Sequence, residues 1–101
     1  MVRINWTDQS VTDLKEIAEY IKKDSVTYAR LQVNRLRSKP TILKTNPYSG
    51  QKLDFLNDEN IRMLTEGSYL IIYKIIDINR IDILTVHHAA RDLSRRNLGF
   101  F

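Results

Sequence analysis

The chain has two histidines, and they are adjacent: His87-His88, followed closely by Arg91-Asp92. With Arg62, Lys74 and Arg80 these are the side chains whose types could do chemistry. A histidine beside several cations suits acid–base, charge-stabilised cleavage of RNA, where a proton moves near the 2′-OH and cations hold the phosphate. His88, Arg62, Lys74, Arg80 and Arg91 are the candidates for that reaction. His88 also has a plain structural reading, closing a strand's end through a hydrogen bond to backbone or to Asp92. Arg91-Asp92 reads equally well as a structural pair or a cap on the tail. Other chemistries lack their parts. Three glycines make no phosphate loop, no serine sits on a G-x-S-x-G elbow, and no cysteine supplies a disulfide or thiolate ligand. Adjacent histidines on a strand point to opposite faces and do not share one metal. No metal and no cofactor is expected.

The elements that must position these groups follow from periodicity. Tyr69 to Ile76 is apolar except at Lys74 and rich in Ile and Tyr, which marks a central strand. Tyr69, Ile71, Tyr73 and Ile75 point one way; Leu70, Ile72, Lys74 and Ile76 point the other. The second face is also greasy. Either it is covered, for example by the C-terminal tail, or it is an apolar patch kept for a protein partner. A short strand from Arg62 precedes a turn at Glu66-Gly67-Ser68. A second turn at Asp77 to Arg80, with Asn79 suited to a positive φ, leads to a strand in which Ile81, Ile83 and Thr85 alternate with Asp82, Leu84 and Val86.

Upstream, Val2, Ile4 and Trp6 alternate with polar residues as a half-buried strand. Thr7 caps a helix whose apolar stripe is Val11, Leu14, Ile17, Ala18 and Ile21. Ser25 or Thr27 starts a second helix, with Ala29, Val33 and Leu36 on its stripe. Pro40 forces a kink or break after Leu36, with a last turn through Lys44. Asn46 to Gly50 is a stop and turn, and 51–60 a polar loop tacked down by Leu53, Phe55 and Leu56. The order β-α-α-β-β-β predicts an α+β fold, a small antiparallel-rich sheet packed against an N-terminal helical hairpin, with a short C-terminal tail or helix.

At 101 residues this suits a single domain spanning 1–101, and the absence of both a long apolar run and a signal-peptide core predicts a cytoplasmic protein with no membrane contact. A net charge of +4 fits contact with nucleic acid or an acidic protein, or simply a solvated surface. Arg95 and Arg96 followed by Leu98, Phe100 and Phe101 make a basic, then aromatic end.

Taken together, Trp6-Thr7, Ile17-Ala18-Glu19-Tyr20-Ile21, Leu43 with Asn46-Pro47 and Gly50, Arg62 before Gly67-Ser68-Tyr69-Leu70-Ile71-Ile72-Tyr73, and Val86 with His88-Ala89-Ala90-Arg91-Asp92-Leu93 resemble toxins of the RelE/ParE superfamily of bacterial type II toxin–antitoxin modules. Pro40 inside the second helix is the departure from that pattern. The resemblance implies growth arrest or plasmid stabilisation, and a hetero-oligomer with a cognate antitoxin that wraps the toxin. It also implies one of two targets: RelE-like members cut mRNA on the ribosome, and ParE-like members poison DNA gyrase by binding. Leu70 stands where the mRNA-cleaving group typically has arginine, and V-x-H-x-A-R-D-L is the ParE-like ending, so the ParE-like group is favoured. On that reading no residue is catalytic. Arg62, His88, Arg91, Arg95 and Arg96 would meet the target, and Leu70, Ile72 and Ile76 the antitoxin. The alternative is a ribosome-dependent mRNA endonuclease using His88 with Arg62, Lys74 and Arg91. A third is an inactive homologue that only binds its antitoxin and co-represses their operon.

Overall fold

The structure, a computed structural model, describes residues 2–90. The chain runs β1 (Arg3–Trp6), α1 (Asp8–Lys22), α2 (Val26–Ser38), 3-10 segments Lys39–Lys44 and Pro47–Ser49, β2 (Gln51–Lys52), β3 (Ile61–Glu66), β4 (Tyr69–Asp77) and β5 (Arg80–His88). The strands form one sheet in the order β1-β5-β4-β3-β2, with β1 parallel to β5 and the other pairs antiparallel. The α+β class and the helical hairpin on one sheet face are as the periodicity predicts. The two-residue β2 is an addition, because 51–60 carries no strand pattern and the pairing of Gln51 and Lys52 is imposed by β3.

Both helices begin at side-chain caps. The Thr7 hydroxyl accepts from the Ser10 N–H and the Ser25 hydroxyl from the Tyr28 N–H, each satisfying an otherwise orphaned donor. Pro40 lacks the N–H that would continue an α-helix, so α2 stops at Ser38 and the chain tightens into the 3-10 segment through Lys44. The hairpin buries Leu14, Ile21, Ala29 and Leu36 against Leu64, Ile71, Tyr73, Ile75, Ile81, Ile83 and Val86 of the sheet. Each large apolar side chain in such a core stabilises by roughly 1.5–3 kcal/mol.

Four sequence expectations are settled or corrected. The second face of β4 is covered, one of the two alternatives the sequence leaves open, and the loop before β3 helps to cover it: Leu53, Ile61, Ile72 and Leu84 form a second core, with Leu56, Met63 and Leu70 against it. The tail proposed as a cover lies outside the described residues. Asn79 does not take a positive φ; Gly67, at +58°, is the one described residue that does. Instead the Asp77 carboxylate accepts from the Asn79 N–H at 2.7 Å, and the register shift between Ile75 and Asp77 absorbs the twist of the β4–β5 hairpin. The third correction is a change of parity in β5. Ile72 pairs with Thr85 while Tyr73 pairs with Ile83, so Leu84 is an extra residue and a bulge. It is therefore Val86, not Thr85, that joins Ile81 and Ile83 on the helix-covered face, since one inserted residue flips everything after it. The fourth concerns Ile72, which is 0% exposed and so unavailable as surface in the free chain.

Candidate functional site

The parity flip decides what stands at the end of β5. His88 pairs with Tyr69 on the helix side and packs edge-on against its ring, centroids 5.4 Å apart. Its Nδ1 accepts from the Ala90 N–H at 3.1 Å, which leaves Nε2 to carry the proton of the neutral ring. The structural reading of His88 is thus realised through backbone, on a side chain that remains exposed.

His87 points the other way and is 2% exposed. Its Nε2 lies 3.3 Å from the Thr85 hydroxyl, and that hydroxyl makes a short hydrogen bond to Asp13. The one hydroxyl proton goes to the carboxylate, so the imidazole Nε2–H donates to Thr85. Asp13 also accepts from the Val86 N–H at 3.0 Å and from the Gln9 amide at 2.9 Å. This carboxylate exists because β1 pairs with β5 only as far as Ile83. Beyond it the edge of β5 is open, and Asp13 supplies the acceptor that a strand would. The buried Asp13–Thr85–His87 set is absent from the sequence-based candidates. One signal was available: Asp13, Ile17 and Ile21 fall at i, i+4, i+8, on the buried stripe of α1.

Asp13 and His87 floor a cleft of about 580 Å³ between α1 and the end of the sheet, walled by Glu16, Tyr20, Tyr69, His88 and Ala90. Burial raises the Tyr69 hydroxyl above its ordinary pKa, and the neighbouring Tyr28 and Tyr20 hydroxyls add to the shift. The cleft can present hydroxyls, carboxylates and imidazoles; among the described residues none of the proposed cations, Arg62, Lys74 or Arg80, lines it.

Those cations are dispersed. Arg62 pairs with Tyr73 and so faces the opposite side of the sheet from Lys74. Lys74 lies five residues along β4 from Tyr69, the partner of His88, roughly 17 Å at strand spacing. Each is also engaged. The Arg62 guanidinium donates to the carbonyls of Glu59, Gly50 and Tyr48 at 2.9, 3.0 and 3.3 Å and lies 5.0 Å over the Tyr48 ring. It works with Tyr73, whose hydroxyl donates to the Pro47 carbonyl at 2.7 Å and accepts from the Gly50 N–H at 3.0 Å, clamping the 46–60 segment. A Cβ on Gly50 would stand 2.5 Å from that hydroxyl, so only glycine fits. Lys74 Nζ is 3.8 Å from the Asp58 carboxylate. Arg80 forks onto Asp82 at 2.8 and 3.1 Å, an interaction that raises its pKa further. Arg91, Arg95 and Arg96 lie outside the described residues. Of the residues expected to meet an antitoxin, Leu70 is half-buried and Ile76 is 44% exposed. Among the described residues no cluster of histidine and carboxylate side chains could hold a metal ion, and no helix is long and apolar enough to cross a membrane.

Comparison with known proteins completes the picture. No curated protein sequence matches the chain. Two of the solved structures that share its fold show the likeness. One is a chain of the chromosomal ParDE TA system from P. aeruginosa, with TM-score 0.71 at 19% identity, covering 87% of this chain and 96% of that one. The other is YafQ from E. coli strain BL21(DE3), with TM-score 0.58 at 22% identity, covering 89% and 96%. Residues 4–93 match the family described as the ParE toxin of the type II toxin-antitoxin system parDE. The chain therefore belongs to the ParE toxin family of type II toxin–antitoxin systems.

Proposed function

We propose that this toxin arrests growth by binding DNA gyrase and stalling it on cleaved DNA, that it acts in the cytoplasm, and that a cognate antitoxin holds it inactive in a hetero-oligomer. The observation that carries the binding reading is the dispersal of the cations. Phosphate cleavage needs several positive groups converging on one point with an acid or base beside them. Here Arg62, Lys74 and His88 stand on different faces or different ends of the sheet, and Arg62, Lys74 and Arg80 each already hold a carbonyl or a carboxylate. Leu70, rather than a basic residue, follows the first tyrosine of the central strand. Such a molecule is suited to occupying a protein surface rather than turning over a substrate.

The target surface proposed is the exit of β5: His88 and the following Arg91, Arg95 and Arg96; Arg62, also expected there, is instead committed to the carbonyls of Tyr48, Gly50 and Glu59. Leu70 and Ile76, at the rim of the loop-covered face, are proposed as part of the antitoxin contact. Replacing Arg91, Arg95 and Arg96 together by alanine relieves growth arrest on induction, while the purified variant keeps the wild-type circular dichroism and melting curve. A fully toxic, folded triple variant would remove the β5 exit from the target surface. Transcripts mapped in induced cells retain their normal ends; new ribosome-dependent ends would instead point to mRNA cleavage.

A further inference from the structure

Charge is distributed unevenly along this chain. Between Asp24 and Asp54 there is no acidic residue, yet the interval holds Arg30, Arg35, Arg37, Lys39, Lys44 and Lys52, six of the sixteen cations. All six are exposed. Among the described residues, ion pairs form at Lys52, Lys74 and Arg80, and none forms at Arg30, Arg35, Arg37, Lys39 or Lys44. This contrasts with the cations at the sheet, and with α1, where Asp8, Glu16 and Glu19 share the surface with Lys15 and Lys22.

The placement is as particular as the composition. On α2, Thr27, Arg30, Asn34 and Arg37 follow one another at three, four and three residues, which stacks them on one stripe of the helix. All four are exposed, opposite the buried Ala29, Gln32 and Leu36. The chain stays helical past Ser38, and Lys39 and Lys44 carry positive charge along the 3-10 segment to its end. At about 1.5 Å per residue the Thr27–Arg37 stripe is about 15 Å long, and Lys39 and Lys44 carry charge on beyond it. Arg30 and Arg37, about 10 Å apart along the helix axis, span several of the phosphate charges that recur every ~1.7 Å along duplex DNA. A solvated face disperses charges of both signs; an acid-free stripe with the Asn34 amide between its two cations matches a phosphate backbone. A single-stranded nucleic acid would be held instead by aromatic platforms among the cations, and the Thr27–Arg37 stripe contains none.

We infer that the α2 ridge, Arg30 and Arg37 with Lys39 and Lys44, is a binding surface for the backbone of duplex DNA, without sequence preference. It is separate from the β5 exit and does not depend on gyrase being the target.

The test is fluorescence anisotropy of a labelled, arbitrary-sequence duplex about three turns long, titrated with the purified full chain across a salt series from about 50 to about 200 mM. Three or four phosphate contacts predict a slope of log affinity against log salt of about −3, with Kd in the ~10⁻⁴–10⁻⁶ M range of non-specific binding. Arg30→Glu with Arg37→Glu lowers affinity by more than about tenfold and flattens the slope by about 2, one unit per lost phosphate contact. Lys15→Glu with Lys22→Glu, an equal charge change on α1, leaves both within about twofold of wild type. Circular dichroism checks that the variants fold. Equal losses in the two variants would reduce the effect to net charge and overturn the assignment. So would an absence of duplex binding, or a preference for single-stranded RNA or for anionic vesicles over the duplex.

Discussion

At the residue scale, the side chains that hold the molecule together are not the ones whose chemistry first draws notice. Tyr73 is fully buried, and its hydroxyl joins the Pro47 carbonyl to the Gly50 N–H. Tyr73→Phe should cost about 1–3 kcal/mol by leaving those two groups unpaired, read as a lower urea midpoint at unchanged slope. Burial, the largest cause, raises the Tyr73 pKa, while the Gly50 N–H and Arg62 oppose it. The folded state therefore holds the phenolic proton more tightly than the unfolded chain. The stability this contributes is fully present below about pH 10 and is lost as pH rises from there through the folded pKa. Tyr73→Phe should flatten that alkaline decline. Gln32 gives the opposite sign. It is buried, and its Nε2 has no hydrogen-bond partner among the described residues. Gln32→Leu should be neutral or raise stability by up to about 1 kcal/mol, and a loss above about 2 kcal/mol would mean that the amide is satisfied after all. Little of this was legible in advance. Asp13 sat on a helical stripe and could have been noticed, but Arg62 looked like a free cation because nothing in the local sequence shows the carbonyls of Tyr48 and Gly50 folding back on it.

At the scale of elements, local signals served well and pairing signals did not. Thr7 and Ser25 announce both helices, Gly67 the β3–β4 turn, and the Ile/Tyr run the central strand. The bulge at Leu84 left a trace in the sequence, since apolar residues at 81 and 83 give way to apolar residues at 84 and 86, but only the register with β4 identifies Leu84 as the extra residue. The loop that buries Ile72 was legible only as a tether: Leu53 and Leu56 read as tacking 51–60 down, but they show no period and nothing local says which face they cover. The caps are not equal. Thr7 also donates to the Ile83 carbonyl at 2.6 Å, tying the start of α1 to β5 where β1 leaves the sheet, whereas Ser25 serves its own helix. Ser25→Ala should cost about 1 kcal/mol, and Thr7→Ala more, about 2 kcal/mol, because the hydroxyl's hydrogen bond to the Ile83 carbonyl is lost along with the cap. Urea denaturation of the two variants gives the order directly; equal costs would mean the Thr7–Ile83 bond contributes nothing.

At the scale of the whole molecule, the sheet separates the groups that an RNA-cleaving centre would gather. Arg62 and Lys74 lie on opposite faces, and His88 stands far along β4 from Lys74. That arrangement underlies the proposal that the toxin works by occupying gyrase. The most direct measurement combines purified toxin with gyrase, ATP and relaxed plasmid, stopped with detergent and protease. The account predicts lost supercoiling together with accumulated linear DNA, both abolished by prior addition of the cognate antitoxin. Normal supercoiling in the presence of folded, antitoxin-binding protein would contradict it.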